Sequence, residues 1–213
     1  MNTENFISML AVDAADRERP IERTLLLMLS IGVSASAAFF AWQIGTRPDA
    51  ITVAMQSWEF LFKFVVTLGI VVPAYLLARQ AMRPDGDVKS LVPSLIVAPV
   101  MLVLAMGYTA MQMAPETVMA TVMAPNWSKC VALIALLAVA PFAALFYAMR
   151  QGAPANPTVA GAVAGLLSAA IAATLYASHC DMDSPLFVGV WYPLGIAAVT
   201  AVGAVAGSRL LRW

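Results

Sequence analysis

Six runs of roughly twenty residues are almost free of charge, and they decide what this chain can fold into. Residues 24–46, 90–115, 130–149, 158–178 and 186–208 contain no Asp, Glu, Lys or Arg, and a further run from about Trp58 to Ala78 contains only Glu59 and Lys63. A helix rises ~1.5 Å per residue, so each run is long enough to cross a hydrocarbon core of ~30 Å. Composition agrees, because 62% hydrophobic and 11% charged residues are too apolar for an ordinary soluble domain. The predicted fold is all-α: a polytopic membrane bundle of six transmembrane helices over residues 24–213, preceded by a cytoplasmic N-terminal segment, residues 1–23, that holds a short helix.

The connections carry turn chemistry. Arg47-Pro48-Asp49 follows the first run, and Pro84-Asp85-Gly86-Asp87 follows the second, with proline presetting φ and glycine free to turn. A loop over 114–129 and a tight link over 150–157 follow the third and fourth runs. Pro93, Pro99 and Pro141 fall inside spans, where neighbouring helices can satisfy the carbonyls they free. Glu59 and Lys63 stand four apart, so they are expected to pair near the start of the second span, with the lysine snorkelling to the interface.

In the N-terminal segment Phe6, Met9, Leu10 and Asp13 recur at helical spacing beside Ile7, and Asn2 or Thr3 is placed to cap the helix. The acidic stretch 13–20 ends on Pro20 and is expected to stop it, since the residue before a proline avoids helical geometry. So short a helix is marginal in water and is expected to order against a partner or the membrane surface. Acidic groups and the lack of a long apolar core speak against a cleavable signal peptide, so the first span is expected to serve as its own insertion signal.

Basic residues set an expected orientation. With the N-terminus cytoplasmic, nine basic residues (Arg17, Arg19, Arg23, Arg79, Arg83, Lys89, Arg150, Arg209 and Arg212) fall inside, against three (Arg47, Lys63 and Lys129) outside. That bias predicts that both termini are cytoplasmic. Gly161 and Gly165 in the fifth span, and Gly203 and Gly207 in the sixth, form small-residue faces expected to pack helices within the chain.

Two cysteines, Cys130 and Cys180, then fall at the outer ends of consecutive spans, the second in the polar island Ser178-His179-Cys180-Asp181-Met182-Asp183. Three readings stand. A structural disulfide would close a loop of about fifty residues, a contribution of ~4 kcal/mol in the chain-entropy model. A redox or metal-responsive pair is the second, with His179, Asp181 and Asp183 as modulating groups or further ligands for a soft or borderline metal ion. Electron relay is the third. No C-x-x-C pair, phosphate loop or second histidine accompanies them, and no charged group sits in the middle of a span to relay ions. A small-molecule carrier or membrane thiol oxidoreductase is the alternative; the residues point away from an enzyme, require no resident cofactor, and give no sign of direct nucleic-acid binding.

Several segments carry a family likeness: Leu10-Ala11-Val12-Asp13-Ala14, Arg47-Pro48-Asp49, Trp127-Ser128-Lys129-Cys130, Met149 to Pro154 with Pro157, the Gly161/Gly165 face, Cys180 with its acidic neighbours, Trp191, and the ending Gly207 to Trp213. Their order and spacing resemble the bacterial six-span anti-sigma family described as negative regulator of sigma F, which implies an integral inner-membrane protein. Where the family pattern leads one to expect a histidine beside the tryptophan of the sixth span, this chain has Tyr192, which takes a ligand from any metal site there. The resemblance implies a protein that sequesters an extracytoplasmic-function sigma factor at the membrane until stress arrives. In that setting Phe6, Ile7, Met9, Leu10 and Asp13 would lie in a groove of the sigma factor, with Arg79, Arg83 and Arg150 adding charge complementarity. Cys130 and Cys180 would be the sensor.

Overall fold

The structure, a computed structural model, describes residues 3–211, and of residues 6, 10–21 and 55 it describes the backbone alone. Every regular element among the described residues is helical. Helix α1 (Thr3–Gln43) leads through a short α2 (Ala50–Gln56) into α3 (Trp58–Ala81). A 3₁₀ turn (Val92–Ile96) opens α4 (Val97–Gln112), and the short α5 (Pro115–Val122) precedes α6 (Trp127–Gln151). Helices α7 (Pro157–Ala177) and α8 (Pro185–Leu210) complete the chain. Six helical segments among the described residues are long and apolar enough to cross a membrane, as the uncharged runs require, and they fit a multi-pass membrane protein.

Two boundaries differ from the sequence reading. Helix α1 does not stop before Pro20 but runs unbroken from Thr3 into the first span. A proline costs a helix one backbone bond and a local clash, and here the regular helix on both sides outweighs that local signal. The link over 50–57 and the loop over 114–129 are themselves partly wound, into α2 and α5. Asn156 caps α7, its side chain accepting from the Thr158 and Val159 amides, and Ser57 caps α3 by accepting from Phe60.

Helix α7 is the centre of the bundle, with α8, α3 and α6 packed around it. Its sequence explains the position: alanine and glycine predominate, so neighbouring backbones can come close. A Cβ on Gly161 would fall onto the Gly203 carbonyl and 2.7 Å from Gly207 Cα, and one on Gly165 would sit 2.6 Å from the Val199 carbonyl oxygen. All four glycines of the small-residue faces therefore lie in one α7–α8 crossing, inside the chain. Against α6, α1 presents Gly32, where a Cβ would stand 2.7 Å from Pro141 Cα, and the buried Ser36 donates to the Leu137 carbonyl at 2.8 Å. Helix α4 lies on α8 and the edge of α3.

The interior divides into two apolar clusters, one at each end of the bundle. Leu25, Leu77, Met82, Leu145, Met149 and Leu167 centre the cluster at the end where α3 and α6 finish. Ile134, Phe187, Trp191, Ile196 and both cysteines belong to the cluster at the opposite end, which holds the site described next.

Candidate thiol site

Cys130 and Cys180 meet. Both are buried free thiols of one apolar cluster, Cys130 one helical turn into α6 and Cys180 just past the end of α7, and the two side chains interact electrostatically. The α7 end creates this meeting: the Ser178, His179 and Cys180 amides all donate back to the last carbonyls of α7, so the chain curls over the helix end and directs Cys180 toward α6. Tyr176 lies in the same cluster and interacts with both thiols. The buried Tyr192 hydroxyl takes no strong hydrogen bond and leans on the Cys180 sulfur. Trp127 stacks on Trp191 at 4.6 Å, and the Trp191 indole donates to the Val122 carbonyl at 2.7 Å, which fixes the start of α6 against α8.

A compact ion cluster holds the Cys180 segment in place. Lys63, 1% exposed, places Nζ 2.6 Å from Asp183 Oδ1 and donates to the Cys180 carbonyl at 2.9 Å. Oδ1 receives no directed hydrogen bond, so that contact is a charge pair. Arg47 donates to Asp183 Oδ2 at 2.9 Å and, more weakly, to the same Cys180 carbonyl at 3.4 Å. Both cations lie over the Phe60 ring, 4.6 Å and 5.1 Å from its centroid. Two backbone-level ties complete the strap: the Arg47 amide donates to Ser178 O at 3.1 Å, and His179 Nδ1 donates to Gly45 O at 3.0 Å. Gly45 has φ of 70°, a left-handed turn that suits glycine.

The electrostatics favour charge on one sulfur. Cys180 is held down to about 6, chiefly because the Cys130 thiol donates to it, with the nearby Lys63 ammonium and the Tyr192 hydroxyl adding to the effect against the cost of burial. A cleft of about 500 Å³, bordered by Arg47, Lys129, Tyr176, His179, Cys180 and Asp181, opens beside the pair.

The sequence-derived candidates fall in different places. Cys130, Cys180, His179, Asp181 and Asp183 share this end of the bundle, but among the described residues no three His, Cys, Asp or Glu side chains gather as a metal-ligand set. Asp183 is engaged by two cations and His179 by a carbonyl. The expected Glu59–Lys63 pair is absent: Glu59 accepts from Ser57 Oγ at 2.7 Å, and Lys63 turns inward rather than snorkelling. Lys63, Arg47, Tyr176 and Tyr192 are the site residues that sequence reasoning passed over. A basic residue inside an apolar run was the available signal for Lys63.

At the opposite end, Arg79 and Arg83 both donate to Glu22 Oε1, at the base of the N-terminal part of α1. They are therefore engaged within the chain, whereas Arg150 is exposed. Ile7 and Met9 are exposed at 59% and 68%. The side chains of Phe6, Leu10 and Asp13 lie outside the described residues.

Comparison with known proteins bears on the same segments. The family described as Negative regulator of sigma F matches residues 10–213. A protein of Azospira oryzae named probable anti-sigma-F factor NrsF is 31% identical over the full length of both chains. The anti-sigma-F factor NrsF of Caulobacter vibrioides is 28% identical, again over the whole of each. No solved structure matches.

Proposed function

Since this chain belongs to the negative regulator of sigma F family, we propose that it is a membrane-embedded anti-sigma factor, a regulator and not an enzyme, which holds an extracytoplasmic-function sigma factor and releases it under envelope stress. Full-length similarity to two anti-sigma-F factors supports the regulatory half of this reading. The contact between Cys130 and Cys180 carries the sensing half. The nine-to-three distribution of basic residues supports an inner-membrane placement with both termini cytoplasmic and the thiols toward the envelope.

Two thiols in contact, one favoured as thiolate, suit a two-electron oxidation. With a peroxide as oxidant, the Cys180 thiolate attacks an oxygen, the O–O bond breaks, and hydroxide leaves to be protonated to water. Cys130 then attacks the Cys180 sulfenic acid, displacing its oxygen as a second water and forming the disulfide. The pair loses two electrons and two protons, and the peroxide is reduced to two waters. The grip on the sigma factor is assigned to the N-terminal part of α1, residues 3–21, where Ile7 and Met9 present apolar side chains as a helix-in-groove contact requires. Arg150, exposed in the last turn of α6, would add charge to that grip.

Cys130→Ser and Cys180→Ser, alone and together, should alter stress induction of the regulated genes while the protein still reaches the membrane. Unchanged induction in the double variant would remove the sensor role. Deleting residues 2–15 should leave the regulon constitutively on, and co-purification of a sigma factor with the intact chain but not the truncated one checks the grip directly.

A further inference from the structure

One helix carries a charged lock at each end. At the thiol end of α3, Lys63 is buried and bound to both Asp183 and the Cys180 carbonyl. At its other end, Arg79 and Arg83 hold Glu22, the residue at which α1 passes from its N-terminal part into its membrane span. The two locks lie sixteen residues apart, about 24 Å along the helix. Between them α3 packs on the central helix α7, and its Val66, Ala74 and Leu77 are buried. Closing the two neighbouring thiols to an S–S bond of ~2.05 Å draws Cys180 toward α6. The Cys180 carbonyl and Asp183 move with that segment, and Lys63 and Arg47 are bound to both.

We propose that α3 is the transmission element of this protein: Lys63 takes up the displacement of the Cys180–Asp183 segment, and the Arg79/Arg83 grip on Glu22 passes it to the N-terminal part of α1. The inference rests on the thiol-sensing reading above and adds the route by which that signal crosses the membrane. A route through α7 or α6 alone would leave Lys63 a purely structural cation. The α3 route makes it a positioning residue whose loss leaves thiol chemistry intact and cuts the output. A ligand-driven shift needs a differential interaction between two arrangements, and Lys63 supplies it because its partners sit on the segment that oxidation moves.

The test uses the full chain in lipid nanodiscs with a fluorescent tag at the N-terminus. Trypsin releases the tag by cutting after Arg17, and the release rate is compared between the reduced protein and the protein oxidised with diamide, which takes the two electrons and two protons and becomes the hydrazine. Disulfide formation is followed by gel shift with a maleimide polymer. For the natural chain the two rates should differ about fivefold or more, the lower end of ordinary site-to-site coupling. Lys63→Met should still form the disulfide but show one rate in both states. Arg79→Gln/Arg83→Gln, at partly exposed positions that tolerate change, should release the tag quickly in both states, and it decides the matter if Lys63→Met fails to fold. A rate difference that survives in the foldable variant overturns the α3 route alone. Equal rates in a natural chain that has formed its disulfide overturn it as well. No disulfide in the natural chain overturns the thiol reading and the route with it.

Discussion

Asp183→Asn should destabilise the protein more than loss of either cation it serves. In the native site Asp183 is the one carboxylate shared by Lys63 and Arg47, whose side chains are 1% and 8% exposed, while the more exposed Asp49 approaches only Arg47, its Oδ1 3.5 Å from Nε. Asparagine keeps the shape and removes the charge, leaving two nearly buried cations facing each other over the Phe60 ring. Bound to opposite oxygens of one carboxylate, they stand on the order of 5 Å apart, which at an effective dielectric of ~20 is a repulsion of ~3 kcal/mol. Removing one partner of a buried pair costs ~3–5 kcal/mol, and because Asp183 itself is 21% exposed the lower figure applies. Lys63→Met is different, because Asp183 keeps Arg47 and a costly buried ammonium disappears. Its loss is confined to two contacts, about 1–2 kcal/mol. Unfolding in mixed micelles, followed by tryptophan fluorescence, measures both, and a double-mutant cycle gives the coupling directly. Equal losses, or a larger one for Lys63→Met, would refute the charge balance argued here.

Gly161→Leu should separate α7 from α8, since even a Cβ has no room against Gly203 and Gly207; the expected loss is at least the ~1–3 kcal/mol of ordinary overpacking, read in the same micelle assay. Cys180 in the reduced protein should alkylate with a half-maximal rate near pH 6 rather than near the ordinary thiol value of 9.0, losing reactivity as pH falls and the thiolate is protonated. By linkage, a depressed thiol adds stability that is complete above pH 9.0 and fades as pH drops toward 6, and Cys130→Ala should shrink both effects by removing the hydrogen-bond donor. Trp191→Phe keeps the stacking ring but strands the Val122 carbonyl, so the cost should be about 1 kcal/mol with disulfide formation unchanged, checked by gel shift.

The spans were legible because an uncharged run of twenty residues has few other places to go, and the α7–α8 crossing because glycines four apart in two neighbouring spans mark close backbones. The pairing partners were not legible. Local spacing joined Lys63 to Glu59, but a lysine near a span end has a long reach, and its actual partner is more than a hundred residues away on the Cys180 segment. Arg79 and Arg83 looked available to a partner for the same reason: nothing local in the sequence ties them to Glu22, which only the packing of α1 beside α3 brings near. Pro20 misled in the other direction, as a strong local stop signal that the regular helix on either side overrode.

The unbroken course of α1 has a mechanical consequence. A single rod of 41 residues is about 60 Å long, and nearly half of it precedes Glu22. Held at that fulcrum, it works as a lever: a lean of ~5° in the buried half swings the free tip by about 2.5 Å. An ångström-scale rearrangement among the helices is thereby carried to the far end of the beam at nearly full amplitude, because the two arms are of similar length, with no hinge needed between receiver and effector.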